Sequence, residues 1–191
     1  MHSLPLSRLQ PPNLGLLSAT VVSAELLRGT IAPCGPGVRG VGWPESASVR
    51  AATLHSCLPW SKLVTVLRSA AWVWGAPWND DGQLFFSTLE GKRFLRTTPS
   101  HIHVCEFRIT EECVINFNGV LVTTVERTVY DLLFLSEELF QQPEKDCLAF
   151  LLTRFRNIDS DIVHRFHGRN RPHRKRASMR YSKALKTSFN H

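Results

Sequence analysis

Residue types able to do chemistry are scattered along this 191-residue chain, and few stand at spacings that let them cooperate. Asp80 and Asp81 are adjacent, between Asn79 and Gly82. Side chains of neighbouring residues rarely converge on one proton or metal, so this stretch predicts a turn, not a carboxylate pair. His101 and His103 fall on one face of a strand and could chelate a metal together with an acidic neighbour. No third ligand stands at a defensible spacing, and a half-exposed strand face is the expectation. His164 and His167, at i and i+3 with His173 nearby, resemble half of a zinc site. No cysteine pair lies near them and their surroundings are basic, so they read as structural or nucleic-acid-contacting histidines. Ser69 lacks the glycine-flanked elbow of a serine hydrolase. Arg127 and Asp131, four apart on an expected helix, can pair across one turn. If buried, that pair would anchor the helix to a neighbouring backbone. The expectation is a protein with no catalytic residue, no metal and no cofactor.

Cysteine usage points the same way. Cys34, Cys57, Cys105, Cys113 and Cys147 are odd in number and widely spaced, forming neither a disulfide framework nor a metal pair. They read as small buried apolar residues of a reducing, cytoplasmic compartment. With 43% hydrophobic and 20% charged residues the chain can bury a sizeable core. No apolar run approaches the roughly 18 residues needed to cross a bilayer, so no membrane association is expected. The stretch Leu14–Ala24 is a poor signal peptide, with one basic residue before it and Gly15, Ser18 and Thr20 interrupting it.

Charge is the most uneven property. Residues 1–153 hold 12 Lys and Arg against 14 Asp and Glu, whereas residues 154–191 hold 11 against 2. A near-neutral body thus carries a tail of +9. Such a tail attracts phosphate backbones or an acidic surface at long range. Arg169, Arg171, Arg174, Lys175, Arg176 and Arg180 are the candidate nucleic-acid contacts, on DNA or RNA. They would bind phosphate without reading sequence.

The elements that must position these residues follow from pattern. Eight glycines and prolines from Gly29 to Pro44 predict a loop, with no phosphate-cradling motif. A helical turn over Ser23–Leu27 precedes it. A helix from Ser46 or Ser48 to Pro59 follows. Thr65 is the expected N-cap of a second helix through Leu67, Ala70, Ala71 and Val73, ending at Gly75. Trp72 and Trp74 point to different sides of that helix, so both bury only if it is nearly surrounded. Strands are expected at Gln83–Thr88, at His101–Ile109, and in a hairpin of Val114–Phe117 and Val120–Val122 turning on Asn118-Gly119. Thr123 and Glu126 have capping-box spacing for a helix burying Val125, Val129, Leu132 and Leu133. Pro143 opens another helix reaching Phe155, and beyond Asn157 two short basic helices are expected, separated by Gly168–Arg176. Helices, a strand cluster and helices again make an α+β fold, with helices flanking a small, mainly antiparallel sheet and a basic helical C-terminal tail.

Two segments also carry a family resemblance. Arg68-Ser69-Ala70-Ala71-Trp72-Val73-Trp74-Gly75-Ala76 resembles the "SAAxxxG" block of actinobacterial proteins related to the AbiEi antitoxins of type IV toxin–antitoxin systems. Gly119–Leu132 resembles that group's "G-x-x-VT-xxx-RT-xx-D" block, in Gly119, Val122, Thr123, Arg127, Thr128 and Asp131. Leu27-Arg28-Gly29 is similar to its "RG-x-Y" opening, with Ile31 where the tyrosine stands. The resemblance covers roughly residues 26–135. It implies an N-terminal segment over 1–25 (extended or partly helical), an AbiEi-like α+β domain over 26–156, and a basic tail over 157–191. The few residues before Arg28 are fewer than a winged helix needs. Arg165–Lys186 is similar to the lead-in of a nuclease-like domain, without that domain's acidic ligands. The implied function is non-enzymatic, antitoxin-like or regulatory, opposing a nucleotidyltransferase-like toxin or acting at its nucleic-acid target. The alternatives are a remnant of a nuclease-fused protein and a general nucleic-acid-binding module.

Overall fold

The computed structural model describes residues 17–55, 57–58, 62–89, 97–158, 162 and 173–188. Helix α1 (Ala19–Arg28) is longer than the turn expected there. Ser18 caps its start by accepting from the Val21 amide. Gly29, at φ 72°, closes its end in the left-handed conformation that glycine adopts without a steric penalty. The Gly/Pro-rich segment is not all loop: β1 (Ile31–Cys34) and β2 (Gly37–Gly40) form an antiparallel hairpin. Gly35 and Pro36 make its turn, and Ile31 and Cys34 bury at its two ends. Pro33, Gly37 and Gly40 lie within the strands themselves, which are too short to show a period.

Helix α2 (Ala47–His55) falls where the sequence predicts it. Thr65, by contrast, is not a cap. It ends a wholly buried strand, β3 (Leu63–Thr65), and Val66 begins α3 (Leu67–Val73) without a side-chain bond. The turn from strand to helix is tight enough to hold Leu67 at φ 51°, a left-handed conformation rare for a branched side chain. Every residue of α3 is buried. That surrounding is what lets Trp72 bury while Trp74 reaches the other way, its Nε1 donating to the Thr123 carbonyl at 2.8 Å.

Strands β4 (Leu84–Thr88), β5 (Ile102–Cys105), β6 (Val114–Phe117) and β7 (Val120–Thr123) complete a five-stranded sheet of order β5-β4-β3-β7-β6. The fold is α+β, but this sheet is mixed. β3–β4 and β6–β7 are antiparallel, while β3–β7 and β4–β5 are parallel. The expected hairpin turns at Asn118 (φ 51°) and Gly119 (φ 94°), as a two-residue turn between twisted strands requires.

Helix α4 (Val125–Phe134) is capped one residue later than expected, by Thr124 accepting from the Arg127 amide at 3.2 Å. Thr123 instead turns inward, its hydroxyl 2.8 Å from that of Thr128. Helix α5 (Gln142–Arg154) opens on a capping box between Gln141 and Glu144, with Pro143 in its first turn. The last described helix, α6 (Arg174–Ser188), is one continuous element starting inside the Gly168–Arg176 break expected from sequence. The shorter basic helix expected before that break falls largely outside the described residues.

Apolar side chains gather into two cores. Val66, Ala71, Val129, Leu132, Leu133, Leu148 and Leu151 hold α3, α4 and α5 together, and Ala177 and Ala184 of α6 belong to the same cluster. Val49, Leu54, Trp72, Phe86 and Val122 join α2 to the opposite face of the sheet. Each fully buried leucine in these clusters contributes about 1.5–3 kcal/mol relative to exposure.

Candidate nucleic-acid interface

Helix α6 carries both core and charge, sorted by the 3.6-residue period. Ala177, Arg180 and Ala184 face inward and are buried; Arg174, Lys175, Ser178, Met179, Ser182, Lys183 and Lys186 face outward and are exposed. Tyr181 donates its hydroxyl to the Ile158 carbonyl at 2.8 Å. Ser178, Met179, Ser182, Lys183 and Lys186 line a shallow depression on the outer face.

The six predicted contacts are therefore split. Arg174 and Lys175 stand on the outer face. Arg176 is half-buried, its Nε 3.7 Å from Glu137 Oε1. Arg180 points into the protein. Its Nη1 donates to the Leu133 carbonyl at 3.0 Å and the Leu135 carbonyl at 2.6 Å, and its Nη2 lies 3.0 Å from Glu137. Its guanidinium also stacks 3.9 Å from the Phe140 ring centre. These carbonyls end α4, where a cation meets both orphan acceptors and the negative end of the helix dipole. Burial lowers the Arg180 pKa, opposed by the hydrogen bond and charge of Glu137. Arg169 and Arg171 lie outside the described residues. Lys183 and Lys186 share the outer face and were missed; applying the helical period to Ala177, Arg180 and Ala184 would have found them.

Other ionisable groups are committed to holding the fold. Arg127 Nε donates to Asp131 Oδ1 at 2.9 Å and Oδ2 at 3.0 Å, and its Nη1 donates to the Arg108 carbonyl at 3.0 Å. The pair expected from i,i+4 spacing is thus buried, and it anchors α4 to the strand-side backbone. Burial alone would lower the Arg127 pKa; the Asp131 carboxylate and the Cys113 thiol outweigh it and raise it. Arg68 Nη2 lies 2.6 Å from Asp81 Oδ2, and Asp81 Oδ1 accepts from the Gln83 amide, as a turn aspartate should. Arg68 Nε is 3.6 Å from Glu144 Oε1, too far for a hydrogen bond but close enough for charge attraction. Ser69 Oγ accepts from the Phe85 amide at 2.9 Å.

His103 stacks on Phe85, ring centres 4.9 Å apart, and its Nε2 lies 2.5 Å from Gln83 Oε1. His101 is exposed at the start of β5. Among the described residues no group of three or more His, Cys, Asp and Glu is placed to hold a metal ion. His164 and His167 lie outside them. Burial pushes the Cys147 thiol up to about 12, reinforced by the Glu144 charge, and burial with Asp131 lifts Cys105 to about 11. Burial also raises Cys34. No described helix is long and apolar enough to cross a membrane.

These elements define a mixed-sheet α+β protein in which the exposed face of α6 carries Arg174, Lys175, Lys183 and Lys186. Comparison with protein-family models and with curated proteins finds no match to this chain in either.

Proposed function

We propose that this protein is non-enzymatic and acts by contact, as an antitoxin-like or regulatory protein with α6 as its phosphate-binding surface. The observation that carries the proposal is the two-sidedness of α6. Its inner face is built into the core, so the lysines on its outer face are held in fixed array rather than on a solvated tail. A cationic face on a packed helix loses less backbone entropy on binding than a disordered segment does. The non-catalytic reading is supported by the commitments of Arg68, Asp81, Arg127, Asp131 and Arg180 to packed elements.

The antitoxin reading rests on the two resembling blocks, whose residues make packing contacts within the fold. Arg127 and Asp131 pair within α4, Thr123 meets Thr128, and Ser69 fastens α3 to β4. In that reading a nucleotidyltransferase-like toxin is the protein opposed.

Two measurements test it. About four phosphate contacts give a log-log salt slope near −3.6, so nucleic-acid affinity should fall roughly a hundredfold from 50 to 200 mM salt. A flat response removes phosphate binding. Co-expression with a nucleotidyltransferase-like toxin from the same gene neighbourhood should restore growth. Salt-sensitive binding without rescue would leave a general nucleic-acid-binding module instead.

A further inference from the structure

We infer that the outer face of α6 is shaped for the major groove of B-form DNA, an inference that rests on the phosphate-binding reading above. At about 100° per residue, Ser178, Ser182, Lys175, Lys186 and Met179 share the middle of the exposed face, while Arg174 and Lys183 lie on its two margins about half a circumference apart. All seven side chains are exposed, Met179 by 66%. A helix with its side chains is about 10–12 Å across, and the B-DNA major groove is about 12 Å wide. Laid in that groove, the margin cations face the two phosphate walls. The central serines, lysines and methionine face the floor.

The composition of the centre suits base edges. Hydroxyls donate to or accept from any base, lysine donates to the acceptors of guanine, and the methionine offers apolar contact to a thymine methyl. Lys175 and Lys186 are eleven residues apart, roughly 16 Å along the axis and about five base-pair steps. No acidic residue interrupts the helix between Arg174 and Ser188, so the exposed charges of its outer face, Arg174, Lys175, Lys183 and Lys186, are all positive.

Competing polyanions fit less well. The major groove of A-form RNA is deep and too narrow for side chains to read. Insertion into an anionic bilayer requires an apolar face buried below the headgroups, whereas the exposed face of α6 offers Met179 among serines and cations.

The test is fluorescence anisotropy of the full chain at 0.1 M salt with three probes. They are a mixed-sequence DNA duplex of about two helical turns, the same sequence as duplex RNA, and vesicles containing phosphatidylserine. The expected result is DNA bound at least about tenfold tighter than RNA and tighter than the vesicles. Arg174→Ala and Lys183→Ala, on the groove walls, should each weaken DNA binding about eightfold and reduce the salt slope by about one. Lys175→Ala and Lys186→Ala, on the floor, should weaken it and relax its sequence preference. The double variant Ser178→Ala, Ser182→Ala should leave the slope unchanged but reorder affinities among DNA sequences. All are exposed positions, and circular dichroism checks that the variants fold. Equal or tighter RNA binding, or serine variants that leave sequence preference untouched, overturns the groove assignment while phosphate binding stands. Binding to vesicles alone, or to no probe, overturns both.

Discussion

Arg127 shows how much depends on a single buried charge. Its partner Asp131 has a side chain only 4% exposed, so removing the guanidinium takes the Arg127 charge from a carboxylate that solvent scarcely reaches. Arg127→Ala should cost about 3–5 kcal/mol in urea unfolding, and the double apolar replacement Arg127→Met, Asp131→Leu should cost less. A double variant as unstable as the single would mean that the pair is worth more than its desolvation. Cys147 gives a pH signature. Its thiol holds its proton to about 12 when folded, against 9.0 ordinarily. The folded state therefore binds that proton more tightly than the unfolded state. The contribution is fully present below pH 9 and is lost as pH rises toward 12. Cys147→Ala should flatten the alkaline fall in stability over that window, whatever its effect at neutral pH. Of these residue-scale features the Arg127–Asp131 pair was legible, because both partners lie on one helix and the spacing is local. The Arg68 contacts with Asp81 and Glu144 were not, because tertiary packing alone brings three separate elements together.

At the scale of elements, the β1–β2 turn makes the closest approach of any described glycine to its surroundings. Gly35 is at φ 55°, and a Cβ there would enter the Trp72 ring. Gly35→Ala adds left-handed strain of about 1–2 kcal/mol to a collision with an aromatic that the core holds rigidly. The expected loss is about 2 kcal/mol or more, with a shift in tryptophan emission; an unchanged spectrum and stability would show that the hairpin can lift away. The sequence signalled this region's glycines but not their use. Local signals marked elements well where they were long or carried distinctive turn chemistry: α4, α5 and the Asn118-Gly119 hairpin stand where pattern placed them. They failed at β3, only three residues long and apolar throughout, where neither period can be seen. The cap of α4 was displaced by a single position, since Thr123 and Thr124 offer the same hydroxyl. Only the inward pull of Thr65 and Thr128 decides between them.

For the whole molecule, the charge asymmetry read from sequence is real, but its boundary is not a structural seam. Ala177, Tyr181, Ala184 and Leu185 pack into the cluster formed by α3, α4 and α5, so the basic segment is part of the body it follows. Ending the chain at Asn157 should therefore lower the melting temperature and expose dye-binding apolar surface, as expected when several buried side chains lose their cover. A solvated appendage would leave melting unchanged. The same packing means that loss of nucleic-acid binding on deletion proves little, and that substitutions at Lys175 and Lys186 are the cleaner probes. What composition could not show was which cations face outward, because helical phase decides that and a neighbouring core fixes the phase.

The central parallel pairing has a kinetic corollary. Thr123 meets Thr65 across 58 residues, and β7 cannot take its place beside β3 until the β6–β7 ribbon has been synthesised. That ribbon can zip on its own through a two-residue turn within microseconds, whereas closing the long loop onto β3 must first overcome its chain entropy. On a ribosome, the amino-terminal half would therefore wait with β3 unpaired on one edge, and the sheet would close from its last-made ribbon inward.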